Sequence, residues 1–171
     1  GYCSAGKYEG RIVFPSFGIN GKLNYFVGRS YTNDWKRYVN PSTKNDVVFN
    51  HLYLDFLKPV TIVEGVVDAI KAGVNSVPLL GSTLSEDSTL FSEIVKNDCT
   101  VYLAMDADAK KKTNRLASLF LRYDIELYVV DLKKTSYADV GEMTKEEFEK
   151  IKSSTHMLDS DSFLINRISE M

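Results

Sequence analysis

From Val60 onward the sequence alternates short β-branched or apolar runs with stretches of helical character, and this alternation constrains the fold more than any other feature. Val60-Thr-Ile-Val63 is a run of the kind buried on both faces of a parallel sheet. Helical sequence follows it through Lys71 and stops at Gly73, a residue that readily closes a helix. Ser76–Leu80 reads as a second strand, Ser85–Lys96 as a helix and Thr100–Met105 as a third strand. Lys110–Tyr123 is a basic, amphipathic helix, and Glu126–Leu132 is a fourth strand. Thr144-Lys-Glu-Glu147 carries a capping box that opens a last helix to about Ser153. Strands alternating with helices of this length predict an α/β fold with a parallel, Rossmann-like sheet covered on both faces.

The residues ahead of Val60 follow another pattern. Arg11–Phe17 and Lys22–Tyr31 read as two strands, with Asn20-Gly21 supplying the positive φ angles of a tight hairpin turn between them. Pro15 marks the first strand as an edge, or as bulged. Thr32–Asn45 is polar and reads as a loop, Asn50–Leu57 as a short helix and Lys58-Pro59 as a boundary. The chain is therefore expected to hold a small, basic, mixed α/β subdomain over 1–58 and a parallel α/β domain over 59–153. A C-terminal tail over 154–171 follows, whose order the composition leaves open.

Composition narrows the function classes. The 171 residues are 44% hydrophobic and 26% charged, ordinary values for a globular chain. Two cysteines, Cys3 and Cys99, exclude a disulfide scaffold and any four-cysteine zinc site. No apolar run approaches the ~20 residues that span a bilayer, and no signal-peptide pattern opens the chain, so a soluble, cytoplasmic protein without membrane contact is expected. A first residue of Gly1 rather than Met predicts a fragment or a processed chain. The net charge of −2 hides an asymmetry: eight Lys and Arg stand against four Asp and Glu up to Val60, and thirteen against nineteen after it. A basic front and an acidic rear suit phosphates at one end and cations at the other.

In open α/β sheets, ligands bind beyond the carboxyl ends of the strands. Acids occupy those positions here: Glu64-Gly65 follows the first strand of the α/β domain, and Asp106-Ala107-Asp108 follows the third. Asp68, one helical turn after Glu64, is expected to face the same crevice. Gly65 permits a sharp turn and close approach to whatever the acids bind. In Asp106-Ala107-Asp108 a period of two puts both carboxylates on one side while the chain stays extended. Carboxylates gathered in this way repel one another unless a cation lies among them. The donors are all oxygen, with His51 and His156 distant in sequence, so Mg²⁺ or Mn²⁺ is predicted rather than zinc. Each acid taken singly also reads as a plain helix cap.

These residues bring a family into view. Ile62-Val-Glu-Gly65 with Asp68, followed by Asp106-x-Asp108, resembles the Toprim module of bacterial-type primases, topoisomerases and some nucleases. Gly10-Arg-Ile-Val-Phe-Pro15, Gly28-Arg29 and Arg37-Tyr38-Val-Asn40-Pro41 are similar, in order and spacing, to landmarks of the catalytic core of DnaG-type primases. There the subdomain ahead of Toprim reads G-R-x-x-F-P, G-G-R and K-Y-x-N-S. Leu80-Gly81-Ser82-Thr83-Leu84-Ser85 resembles the family's L-G-T-x-L-T turn. The likeness runs from about Gly10 to Asp139. It departs from the family in two places. Asp106-Ala-Asp-Ala-Lys-Lys111 stands for D-G-D-x-A-G, and Ser136-Tyr-Ala-Asp139 for D-P-x-D, so only Asp139 carries over from the latter. Such divergence in a compact core points to a phage primase.

The resemblance implies template-directed synthesis of short RNA primers on single-stranded DNA from ribonucleoside triphosphates. A replicative helicase would be engaged through parts outside this chain. Catalysis then falls to Glu64, Asp106 and Asp108 holding Mg²⁺ or Mn²⁺, with Asp68 and Asp139 completing the shell. Lys22, Arg29 and Arg37 are candidates for template or triphosphate contacts, Tyr38 and Asn40 for stacking on and hydrogen bonding to template, and Lys110 and Lys111 for an anionic ligand. Three other readings stand beside this one. The same acids would serve a Toprim-type nuclease, the altered 106–111 loop would suit a non-catalytic module binding single-stranded nucleic acid, and a phospho-receiver would use Lys133.

Overall fold

The computed structural model describes residues 1–32, 35–42, 46–81 and 83–168, apart from the side chains at 166 and 167. The chain forms two compact units, Gly1–Tyr53 and Leu54–Met171, divided just ahead of Lys58-Pro59. Among the described residues, no helix is long and apolar enough to cross a membrane.

The first unit is an antiparallel sheet of β1 (Tyr2–Cys3), β2 (Arg11–Phe17), β3 (Leu23–Ser30) and β4 (Tyr38–Val39), in that spatial order. β2 and β3 pair from Arg11↔Ser30 to Phe17↔Leu23, with a bulge between Ser16 and Phe17. β1 pairs only with Arg11 and Ile12, so Pro15 lies where β2 has lost its second neighbour and no ladder N–H is required. The hairpin connection is longer than the expected tight turn. Gly21 donates to the Gly18 carbonyl at 2.8 Å and Gly18 to that of Lys22 at 2.9 Å. Only Gly21 has a positive φ, while Asn20 uses its side chain to accept from the Lys22 N–H. The segment read as loop, 32–45, contributes β4, whose two residues are too few to show a period; 33–34 and 43–45 lie outside the described residues. Asn50–Leu57 is not a helix but a single 3-10 turn at His51–Tyr53. Asn50 precedes it in the left-handed region (φ 54°), and its side chain accepts from the Phe17 N–H.

The second unit holds a parallel sheet of β5 (Val60–Val63), β6 (Ser76–Pro78), β7 (Val101–Ala104) and β8 (Leu127–Val129), ordered β6-β5-β7-β8. Every residue of β5 is buried, as its uninterrupted β-branched run requires. The helices are α1 (Val66–Ala72), α2 (Thr89–Lys96), α3 (Lys110–Leu121), α4 (Lys145–Ser153) and α5 (Ser160–Ile168). One core cluster joins Val63, Ala72, Ala104, Leu132, Met143 and Phe148. Elsewhere Phe91 of α2 packs on Phe120 of α3, with ring centroids 5.8 Å apart. α2 begins later than its sequence pattern indicates, because Ser88 rather than Ser85 caps it. β8 ends early because Asp131 caps a 3-10 turn at Leu132–Lys134. Thr144 and Glu147 form the expected capping box. In the tail, Met157 bridges to Tyr128 and Asp159 caps α5 through the Ser162 N–H at 2.8 Å.

The chain leaves β5 toward β6 on one side and returns to β7 on the other, so the order reverses between β5 and β7. Val63 lies beside Ala104 in this pair. The crevice beyond these two strand ends is where such a sheet binds ligands.

Candidate active site

Glu64 and Asp106 flank that crevice. The Glu64 carbonyl accepts from the Leu80 N–H at 2.9 Å, which fixes its backbone beside the sheet. Its carboxylate is only partly accessible. Oε2 receives the Lys112 ammonium at 3.0 Å, whereas Oε1 is buried with no hydrogen-bond partner among the described residues. Gly65 makes no sharp turn: its φ of −121° and ψ of 166° are extended backbone, and it serves as the N-cap of α1.

Asp106 and Asp108 do not continue the strand. The Ala109 N–H donates to the Asp106 carbonyl at 2.9 Å, folding 106–109 into a turn that feeds α3. The two carboxylates differ in environment: Asp106 is half-buried and Asp108 is exposed. Burial, followed by the charges of Glu64, Asp68, Asp139 and Asp108, pushes the Asp106 carboxyl up to about 6. The other four acids singled out in the sequence thus all act on Asp106, but unequally.

Asp68 and Asp139 are engaged by backbone. Asp68 Oδ2 accepts from the Gly65 N–H at 2.8 Å and Oδ1 from the Gly141 N–H at 3.0 Å, so it secures the start of α1 and ties it to the 3-10 turn Val140–Glu142. Asp139 Oδ1 caps that turn through the Glu142 N–H at 3.0 Å. With Glu64 paired to Lys112 and these two acids on backbone donors, no three His, Cys, Asp or Glu side chains among the described residues form a ready metal cage. The donor chemistry nevertheless fits a hard divalent cation. It comprises oxygen ligands, a buried carboxylate oxygen without a partner among the described residues, and an acid held up in pKa by burial and by its acidic neighbours. A cleft of about 370 Å³ adjoins the crevice, with Asp106, Lys110, Asp131 and Lys133 among its polar walls and Phe163 of α5 at its edge.

Of the lysines opening α3, Lys110 and Lys111 face solvent and Lys112 turns inward. The sequence holds the signal for this. Lys112, Leu116 and Phe120 are four residues apart, and the latter two are buried, so all three share the inner face of α3. No comparable signal marks Gly141.

On the first unit, Arg29 and Tyr38 are register partners of β3 and β4, and the Arg29 guanidinium lies 5.7 Å from the Tyr38 ring centroid. Arg37 and Lys22 are exposed. The Asn40 side-chain oxygen accepts from the Gly28 N–H at 3.3 Å, so part of its hydrogen-bonding capacity is structural.

No protein-family model matches the chain. A curated DNA primase from Thermotoga maritima is 32% identical over 157 residues, which cover 84% of this chain and 27% of the relative. The chain spans under a third of the length of the curated relatives it matches. Among solved structures, the Aquifex aeolicus primase comprising zinc-binding and RNA polymerase domains matches with a TM-score of 0.70 and 26% identity, over 88% of this chain and 41% of that one. The chain carries the DnaG-type primase core fold. A DnaG catalytic domain bound to single-stranded DNA also matches this core, with a TM-score of 0.70 and 20% identity, over 95% of this chain and 56% of that one.

Several landmarks of the primase core are structural here. An atom in the Cβ position at Gly28 would lie 2.7 Å from the Val39 carbonyl oxygen, so glycine is what lets β4 approach β3. Arg11 is buried and donates to the Glu9 and Lys36 carbonyls at 2.8 and 3.2 Å, tying β2 to the segment ahead of β4. Leu80 and Gly81 both have positive φ, which accounts for the glycine in the turn after β6; Ser82 lies outside the described residues.

Proposed function

We propose that this chain is the catalytic core of a DNA primase, a nucleotidyltransferase that makes short RNA primers on single-stranded DNA from ribonucleoside triphosphates. The observation that carries this reading is the placement of Glu64 and Asp106 at the ends of adjacent parallel strands, at the point where strand order reverses. The similarity to primases along most of the chain supports it. The parallel domain is read as a Toprim module, and Mg²⁺ or Mn²⁺ as its metal.

Glu64 and Asp106 would hold the metal, with the exposed Asp108 able to extend toward it. A bound divalent cation neutralises charge at the α-phosphate and lowers the pKa of the attacking 3′-hydroxyl. Asp68 and Asp139 order the α1 and 140–142 backbone around the crevice. Asp106, at about 6, ionises fully only above that pH. On the first unit, Arg29 and Arg37 provide charge-assisted donors for template phosphates, and Tyr38 a ring face for a base. Lys22, Asn40, Lys110 and Lys111 remain candidates for further polar contacts with template or triphosphate. The reading places the protein in the cytoplasm of a bacterium or of a phage-infected host, with a replicative helicase as partner.

The test is incubation with single-stranded DNA, labelled ribonucleotides and Mn²⁺, with a primase zinc-binding domain added where the chain alone is silent. Short template-dependent RNA is expected. Shortening of the DNA without RNA would instead favour the nuclease, and retention of DNA with neither reaction a binding module.

A further inference from the structure

The ammonium of Lys112 lies where a cation belongs. It approaches one oxygen of Glu64 at 3.0 Å from α3, while the other oxygen is buried without a partner. Both side chains are partly buried, 29% exposed for Lys112 and 22% for Glu64, so the pair is shielded from bulk water far more than a surface ion pair. The surroundings are acidic: Glu64, Asp68, Asp108 and Asp139 all raise the pKa of Asp106. α3 itself gives Lys112 no local reason for its position. Its first turn contains no acid and its N-cap, Ala109, makes no side-chain cap bond. Three lysines there oppose the helix dipole, which is a cost unless something anionic receives them. Lys112 finds such a partner in Glu64, an acid of the proposed metal site.

We propose that Lys112 is a tethered counter-ion: its ammonium neutralises Glu64 while the crevice holds no metal, and a divalent cation must displace it to gain that carboxylate. The inference rests on the proposed metal site. It assigns Lys112 a positioning role, setting the strength with which metal binds rather than performing chemistry. A lysine in this place keeps the Glu64 carboxylate paired and ordered before metal arrives, because an unpaired half-buried carboxylate is costly. It also weakens metal affinity, since one favourable pair is given up for another.

The test compares Mn²⁺ binding by calorimetry in the parent, Lys112→Met and Lys111→Met. The two variants change net charge equally, but Lys111 is exposed and serves as control for the long-range effect of a lost charge. Lys112→Met should bind Mn²⁺ about fivefold tighter than Lys111→Met, the scale of one unit charge at contact distance in a solvated site. Its Tm without metal should fall below that of Lys111→Met, and saturating Mn²⁺ should close the gap. Where Lys112→Met does not fold, Lys112→Gln takes its place. Affinity in Lys112→Met equal to or weaker than in Lys111→Met overturns the counter-ion role, while Mn²⁺ binding by the parent leaves the metal site standing. Absence of Mn²⁺ binding in all three proteins overturns both. Binding that emerges only when Lys112 is replaced supports the role most directly.

Discussion

The backbone N–H of Gly141 donates to Asp68 Oδ1 at 3.0 Å, joining residues 73 apart in sequence. Asp68 thereby serves two segments at once, since its other oxygen accepts from the Gly65 N–H. The contact depends on glycine. A Cβ at position 141 would lie 2.8 Å from Asp68 Oδ1 and 3.1 Å from Asp139 Oδ1. Gly141→Ala must push apart two carboxylates that are already held by backbone donors. It is expected to destabilise the fold by about 1–3 kcal/mol, the usual range for overpacking. Urea unfolding measures this, and a midpoint unchanged from the parent would show that the turn relaxes freely.

Asp106 links stability to pH. Its pKa of about 6 in the folded chain exceeds its ordinary 3.8. At about pH 3 and below it is protonated in both states and its burial carries no charge penalty. As pH rises from there through about 6, the unfolded chain releases the proton first, so stability falls across that window and levels off above it. Asp106→Asn removes this slope, so it should raise the Tm of the metal-free protein at pH 7 and leave it nearly unchanged at about pH 3. The same variant should lower Mn²⁺ affinity about tenfold or more, as expected when a charged ligand is lost. A parent and variant with identical pH profiles of stability would contradict the clustering of acids.

Glu64→Gln keeps size and shape while removing the charge. It should fold, still bind single-stranded DNA and lose at least ~100-fold in primer synthesis, the scale of a lost transition-state electrostatic contact. Synthesis at the parental rate would reduce Glu64 to a structural partner of Lys112.

On the first unit, Arg37 is exposed beside the Arg29–Tyr38 pair. Arg37→Ala should weaken single-stranded DNA binding for all sequences alike and reduce the salt slope by about one unit, as for one phosphate contact. Equal affinity at every salt concentration would leave Arg37 as surface charge.

Thr61 lies fully buried in β5, and its hydroxyl has no hydrogen-bond partner among the described residues. Thr61→Val keeps the shape and removes the unpaired group, so it should raise stability by about 1 kcal/mol. A loss of stability in urea unfolding would mean that the hydroxyl finds a partner in solution.

Much of this architecture was legible along the chain, because period and punctuation are local. The β-branched run at Val60–Val63, the capping box at Thr144 and Glu147, and Gly73 at the end of α1 report their own structure. Acids immediately after two strands of an alternating α/β pattern were enough to locate the crevice, since the sheet itself sets which ends face ligand. Elements of two or three residues were not legible: β4 exists only because β3 presents an edge to it, and its close approach depends on Gly28. The division of labour among the acids was equally hidden. Asp68 and Asp139 turn to backbone donors, Asp106 and Asp108 separate at a turn, and Lys112 alone among three lysines reaches Glu64. Each of these depends on groups that the fold brings together from distant parts of the sequence. Residue type and spacing alone determined that acids would gather at this edge of the sheet. Which of them is paired, buried or left open to a cation was decided by tertiary packing, because desolvation and contact distance set the energy of a charge and neither is local to the chain.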